Sequence, residues 1–146
     1  MNLPKTILVA TDFSESAEYS LDYAVALAGK LDAKIHLLNA IGIPSLGVPE
    51  LGVALTSTLI DSMVKASQTE LDKLAARRPQ AQIETMLRTG DARDVIVHAA
   101  EEVRADLIVM GTHGRRGVSR ALLGSIAEGV VRTAPCPVLT IRRRAS

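Results

Sequence analysis

The stretch ADLIVMGTHGRRGVSRALLGSIAEGVV, Ala105 to Val131, decides how the chain is read. Leu107 to Met110 is an apolar run of strand length, too short for a helix. A glycine-bearing loop follows, and then the start of a helical pattern. Two residues separate Gly111 from Gly114, nine separate Gly114 from Gly124, and Ser125 comes next. Glycine lets a ligand come close to bare backbone. A helix N-terminus offers unpaired N–H groups and a partial positive charge. Strand, glycine loop and helix start in succession form a cradle for phosphate. Two turn glycines joining ordinary elements are the other reading of Gly111 and Gly114, and Gly124 with Ser125 favours the cradle.

Working outward, the rest of the chain supplies the sheet that presents this cradle. Lys5 to Thr11 (KTILVAT) is a consecutive apolar, β-branched run, the habit of a central strand buried on both faces. Asp12 to Leu31 reads as a helix with Ala17, Leu21, Ala24, Val25, Ala28 and Leu31 on one stripe, capped by Ser14 or Asp12. Lys34 to Ile41 is a second strand. Gly42 to Ala54, with Gly42, Pro44, Gly47, Pro49 and Gly52, reads as an irregular segment. Leu55 to Arg78 is a second helix, with Ile60, Met63, Val64, Leu71 and Leu74 inward, Arg77 and Arg78 solvated, and Pro79 as its stop. Gln82 to Arg88 reads as an edge strand, with Met86 among the residues of its wet face. Asp91 and Asp94 open a third helix over Val95 to Val103. Asp106 to Met110 is the fourth strand. A last helix runs from Gly124 or Ser125 to Thr133, with Ile126, Ala127, Val130 and Val131 inward. Val138 to Arg142 is the fifth strand.

Alternation of this kind predicts an α/β fold: one open five-stranded parallel sheet, helices on both faces, built by residues 1–146 as a single domain. Right-handed crossovers make 3-2-1-4-5 the expected strand order. That order reverses between strands 1 and 4, and ligands bind outside the carboxyl ends of strands at such a reversal. Strand 1 ends at Thr11 and Asp12, and strand 4 ends at Gly111. Topology and glycine spacing therefore point to the same crevice.

Composition narrows the function classes. Apolar residues make up 47% of the chain and aromatic residues 2%, so the core must be aliphatic. Net charge is +1, and base-stacking platforms are lacking, which argues against nucleic acid as a partner. Cys136 is alone, so no internal disulfide or cysteine zinc site is available, and a cytoplasmic location is expected. The N-terminus lacks the pattern of a signal peptide. No apolar run approaches the roughly 20 residues that span a bilayer, so no membrane partner is expected.

Each candidate site residue has two readings. Asp12 either caps the first helix or accepts hydrogen bonds from a ribose or adenine edge. It also suits a magnesium ion held through water, since that ion prefers carboxylate and phosphate oxygens. Ser125 and Glu128 have the spacing of a capping box, a role compatible with a hydroxyl aimed at phosphate. His113 either touches phosphate or is solvated, and no nucleophile or carboxylate is placed by sequence to make it a base. Arg115, Arg116 and Arg120 either neutralise phosphate or form a solvated basic loop. Ala40, near the end of strand 2, can read a base edge with its backbone. His36 and His98 are read as structural, Cys136 as a small buried residue at a strand start, and Arg142 to Arg144 as a frayed tail.

Four segments, KTILVATDFS, KIHLLNAI, ADLIVMGTHG and LLGSIAEGVVRTAPCPVL, give the chain a resemblance to the universal stress protein family over nearly its whole length. The glycine spacing followed by Gly-Ser resembles that family's ATP-binding signature. The resemblance implies a Rossmann-like fold of the adenine nucleotide alpha hydrolase type, with ATP in the strand 1–strand 4 crevice. Carried over by position, it implies that Ala10, Thr11 and Asp12 lie by the adenosine and Ala40 by the adenine. Gly111, Gly114, Gly124 and Ser125 would lie by the phosphates, with Met110, His113 and Ile126 in neighbouring positions. It also implies a homodimer paired through the fifth strands, which would cover an open edge. Two departures stand out: Phe13 where the family frequently has glycine, and Asn39 where it often has histidine.

These readings imply a dimeric nucleotide-dependent regulator of the stress response with slow or no hydrolysis, because only parts of a phosphoryl-transfer apparatus are visible. One alternative is an ATP-hydrolysing enzyme of a related α/β class. The other is an interaction module binding AMP or cyclic AMP.

Overall fold

Unbroken apolar runs occupy the middle of the sheet. The computed structural model describes residues 2–43, 49–113 and 123–144. Strands β1 (Thr6–Ala10) and β4 (Leu107–Gly111) lie side by side, with Ile7, Leu8 and Val9 opposite Leu107, Ile108 and Val109. Strand β2 (Lys34–Ile41) flanks β1, β3 (Ile83–Thr89) flanks β2, and β5 (Val138–Ile141) flanks β4. Every pairing is parallel and the order is 3-2-1-4-5, as the alternation of elements predicts.

Two aliphatic layers enclose the sheet. Ile7 and Val9 join a cluster with Leu21 and Ala24 of helix α1 (Glu15–Leu31) and Leu71 and Leu74 of α2 (Pro49–Ala76). Leu8 points the other way. It joins Ile96 and Ala99 of α3 (Ala92–Glu102) and Ala127 and Val130 of α4 (Ser125–Thr133). Both faces of β1 are therefore dry, which is why its sequence does not alternate. The connection after β1 goes to the first layer and the connection after β4 to the second. The strand order reverses between their carboxyl ends.

Several expectations need correction. Helix α2 begins at Pro49, so residues 49–54 of the expected irregular segment are helical; residues 44–48 lie outside the described residues. Proline in a first helical turn lacks only an N–H that would have no partner there, so it opens helices readily. Helix α2 ends at Ala76, before Arg78 rather than after it. Arg78 is buried, not solvated. Its Nε donates to Asp22 at 2.8 Å, its Nη2 to Glu18 at 3.1 Å and its Nη1 to the Leu74 carbonyl at 3.0 Å. Burial works against the charge, but the two carboxylates of α1 outweigh it and raise the pKa of the guanidinium. Met86 is buried in the α3–α4 layer rather than wet, packed with side chains of α3 that lie over the neighbouring β2. Val131 is exposed, since a nine-residue helix turns only a narrow stripe to the sheet.

His36 is 7% exposed and faces β3. Its Nδ1 lies 3.7 Å from a Glu84 carboxylate oxygen, and its Nε2 has no partner. Burial lowers its pKa, against the pull of Glu84 and Glu102 and with help from Lys34. His98 is exposed on α3.

Two outcomes follow for stability. Arg78→Ala is expected to cost about 2 kcal/mol in urea unfolding, the scale of charge-assisted bonds to a buried group. For His36 the folded pKa is the lower one. As pH falls below about 6.5, the unfolded chain takes up a proton that the folded chain declines, so stability falls with pH until the folded pKa is passed. Urea midpoints measured between about pH 7.5 and about pH 5.5 should show this slope, and His36→Leu should flatten it.

Candidate functional site

Strand β1 ends in a run of local bonds. The Thr11 N–H donates to the Leu38 carbonyl at 2.8 Å, continuing the sheet one residue past β1. The Thr11 carbonyl accepts from the Asn39 side-chain amide at 2.8 Å. The Phe13 N–H donates to the Thr11 hydroxyl at 3.1 Å, and the Ser14 N–H to an Asp12 carboxylate oxygen at 3.0 Å. These are turns in which a side chain replaces a backbone acceptor. Phe13 sits at φ 66°, in the left-handed region. Ser14 then caps α1, accepting from Ala17 N–H at 3.2 Å. Of the two residues expected to cap this helix, Ser14 does so, and Asp12 instead shapes the turn before it.

Strand β4 ends against α1. A methyl group placed on Gly111 would lie 3.1 Å from the Ser16 hydroxyl and 3.6 Å from that of Ser20. The absence of a side chain lets the first turn of α1 come close to the strand end. Thr112 is buried and joins three elements. Its N–H donates to Ile141 of β5 at 3.2 Å, and its carbonyl accepts from Gly124 N–H at 2.7 Å. Its hydroxyl lies 3.1 Å from Nδ1 of His113, whose buried Nε2 has no partner. A methyl on Gly124 would lie 2.8 Å from the Thr112 carbonyl oxygen. Gly124 thus lies against the strand end, which sequence spacing alone does not show.

Helix α4 has Gly124 as its N-cap and no side-chain hydrogen bond there. The expected capping box is absent. Ser125 is the first helical residue, and Glu128 pairs with Arg132 at 3.0 Å instead. Ile126, in the first turn of α4, is 44% exposed, not inward. The start of α4 therefore presents N–H groups that no capping side chain among the described residues answers, with the His113 backbone against its N-cap Gly124.

The other expected residues fall around the same end of the sheet. Thr11 and Met110 are buried. Ala10 and Ala40 are half-buried against the α3–α4 layer. Gly114, Arg115, Arg116 and Arg120 lie outside the described residues. Arg142, Arg143 and Arg144 are exposed, and Arg143 donates to Glu15 at 2.5 Å, so the tail is tied to the start of α1. Cys136, half-buried before β5, has its thiol pKa pushed up by burial and by Asp106, which keeps it from acting as a ready nucleophile.

Four residues at the site were given no structural role by sequence reasoning. Asn39 is the polar residue in an otherwise apolar stretch of β2, and its burial holds the Thr11 carbonyl. Thr112 stands between two more conspicuous residues. Ser16 and Ser20 of α1 face Gly111. A polar residue within or just after a buried strand is the signal that could have found the first two.

The sequence pattern of the Universal stress protein family matches residues 4–142. A universal stress protein of Methanocaldococcus jannaschii is 34% identical over 145 residues, covering 97% of this chain and 84% of the relative. Two solved structures of similar fold hold nucleotides. A universal stress protein from Archaeoglobus fulgidus, in complex with dAMP, matches with a TM-score of 0.66 at 25% identity, over 97% of this chain and 99% of the other. Another universal stress protein, in complex with cAMP, matches with a TM-score of 0.68 at 26% identity, over 97% and 98%.

The two glycines should respond differently to a methyl group. At Gly124 the obstacle is a backbone carbonyl that cannot rotate away, so Gly124→Ala is expected to cost about 1–3 kcal/mol. At Gly111 the nearest atom is a serine hydroxyl that can turn, so Gly111→Ala should cost less. Urea unfolding of both variants checks the order. Loss of binding in a Gly124 variant therefore has to be read beside its stability.

Proposed function

The chain belongs to the universal stress protein family, and from that premise we propose that it is a dimeric, nucleotide-dependent regulator of the stress response that binds ATP with slow or no hydrolysis. One observation carries the nucleotide reading. The Nε2 atom of His113 is buried without a hydrogen-bond partner, and the backbone of the same residue lies against Gly124, the bare cap of α4. A buried polar atom left unpaired is costly unless something fills the need at some stage of function. Phosphate oxygens suit both features: they accept from an imidazole N–H and from the first N–H groups of a helix. The dAMP and cAMP complexes of the two related structures support an adenine nucleotide as the ligand class.

In this reading Gly111, Gly114, Gly124 and Ser125 hold the phosphates, with His113, Met110 and Ile126 beside them. Ala10, Thr11, Asp12 and Ala40 hold the adenosine. A magnesium ion would rest on the nucleotide's own oxygens and on Asp12 through water. Among the described residues no group of three or more His, Cys, Asp or Glu side chains stands ready to hold a metal. Slow turnover is proposed because the sequence offers only parts of a phosphoryl-transfer apparatus. Strand β5 ends the sheet, and pairing with a second copy there would cover its edge. A cytoplasmic location fits the lone Cys136. No helix among the described residues is long and apolar enough to cross a membrane.

Calorimetric titration of the purified protein with ATP, ADP, AMP and cyclic AMP tests the proposal, together with mass identification of any copurified small molecule. ATP is expected to bind, with negligible phosphate release in a turnover assay. Tighter binding of cyclic AMP than of ATP would favour the interaction module instead. Robust hydrolysis would favour the enzyme. His113→Ala is expected to weaken ATP about tenfold, the scale of one charge-assisted hydrogen bond. Urea unfolding of the same variant separates the lost ligand contact from the lost contact between Nδ1 and the Thr112 hydroxyl.

A further inference from the structure

We propose that Phe13 is a positioning residue that fixes the Asp12 carboxylate in advance of ligand binding and so sharpens selection for the ribose of a nucleotide; this rests on the nucleotide reading above. A bulky side chain at φ 66° is an outlier, since the left-handed region favours glycine, asparagine and aspartate. Such a conformation persists only when its surroundings over-determine it.

The surroundings of Phe13 do so. Its ring packs on the α1–α2 layer of the core, the cluster that contains Ile7, Val9 and Leu21. Its N–H is held by the Thr11 hydroxyl at 3.1 Å. Before it, Thr11 is tied to β2 through Leu38 and Asn39, each at 2.8 Å. After it, Ser14 is committed to capping α1.

The consequence falls on Asp12. One oxygen of its carboxylate accepts from Ser14 N–H at 3.0 Å, a bond that spans residue 13 and depends on the bend there. Glycine at position 13 would adopt that bend without strain, but it would also leave it freely. A phenylalanine anchored in the core cannot. The strain is thus exchanged for a carboxylate whose direction is set before any ligand arrives, and preorganisation of this kind lowers the entropic cost of binding. A fixed carboxylate at a strand end is the group that accepts from ribose hydroxyls in dinucleotide-binding α/β proteins, so the sugar is the part of the ligand that should register the change.

The test compares wild type, Phe13→Gly and Phe13→Leu in calorimetric titrations with ATP and with 2′-deoxy-ATP, with urea unfolding as the measure of stability. Wild type is expected to prefer ATP. Phe13→Gly should lose about tenfold in ATP affinity, with a less favourable binding entropy and with the ATP to deoxy-ATP ratio moved toward one. Phe13→Leu keeps an apolar anchor and should recover most of both. If Phe13→Gly does not fold, the same ratio and entropy are read from Phe13→Leu, where a smaller shift in the same direction is expected. A folded variant with unchanged affinity and ratio overturns the positioning role alone. Equal losses for the two nucleotides show a general structural effect and also overturn it. Failure of the wild type to bind any adenine nucleotide overturns the nucleotide reading and this inference with it.

Discussion

Parallel pairing of β1 with β4 is the constraint on which the rest depends. The two strands are distant in sequence and adjacent in the sheet, with Leu8 opposite Ile108 and Val9 opposite Val109. Both are buried on both faces, so neither can slip in register without moving an aliphatic layer. Their outgoing connections lead to helices in opposite layers, α1 after β1 and α4 after β4. A crevice at this position is a consequence of handed crossovers, and the chain places its unusual backbone there: a left-handed phenylalanine on one side and two closely packed glycines on the other.

The two sides of the crevice are built by different means. On the β1 side, side chains of Thr11, Asp12 and Ser14 take backbone N–H groups in succession, so the loop is rigid through its own sequence. On the β4 side, rigidity comes from a distance. Thr112 is held by Ile141 of β5 and in turn holds Gly124, thus tying the edge strand to the start of α4. Thr112 and Asn39 find partners in this arrangement, and among the described residues at these strand ends the buried side-chain atom without one is Nε2 of His113. A site with most of its framework satisfied and one donor or acceptor withheld is suited to a ligand that supplies the missing partner.

Much of this was legible in the residues. The runs around Leu8 and Ile108 announced central strands because neither face needed to meet water. Gly111 and Gly124 were conspicuous because glycine is dispensable in most positions and is kept where atoms approach closely. Less legible was anything decided by contacts between distant segments. Arg78 has the look of a solvated helix residue, and only the approach of Asp22 and Glu18 from α1 makes its burial tolerable. Ser125 and Glu128 have the spacing of a capping box, yet Gly124 takes the cap once its N–H is drawn to Thr112. Met86 reads as the wet side of an edge strand until side chains of α3 pack on it.

The sequence by itself determined the class of fold, the strand order and the end of the sheet at which β1 and β4 part toward opposite layers. Those properties follow from local periodicity, chain length between strands and the handedness of L-amino acids, all of which are present in the linear chain. Only the tertiary structure decided which polar atoms are shared and which are left over. Whether Asn39 meets Thr11, whether Thr112 reaches Gly124, and whether His113 keeps a nitrogen unpaired depend on distances between residues far apart in sequence. A hydrogen bond is made or lost over less than an ångström, a scale that no pattern of residue types encodes.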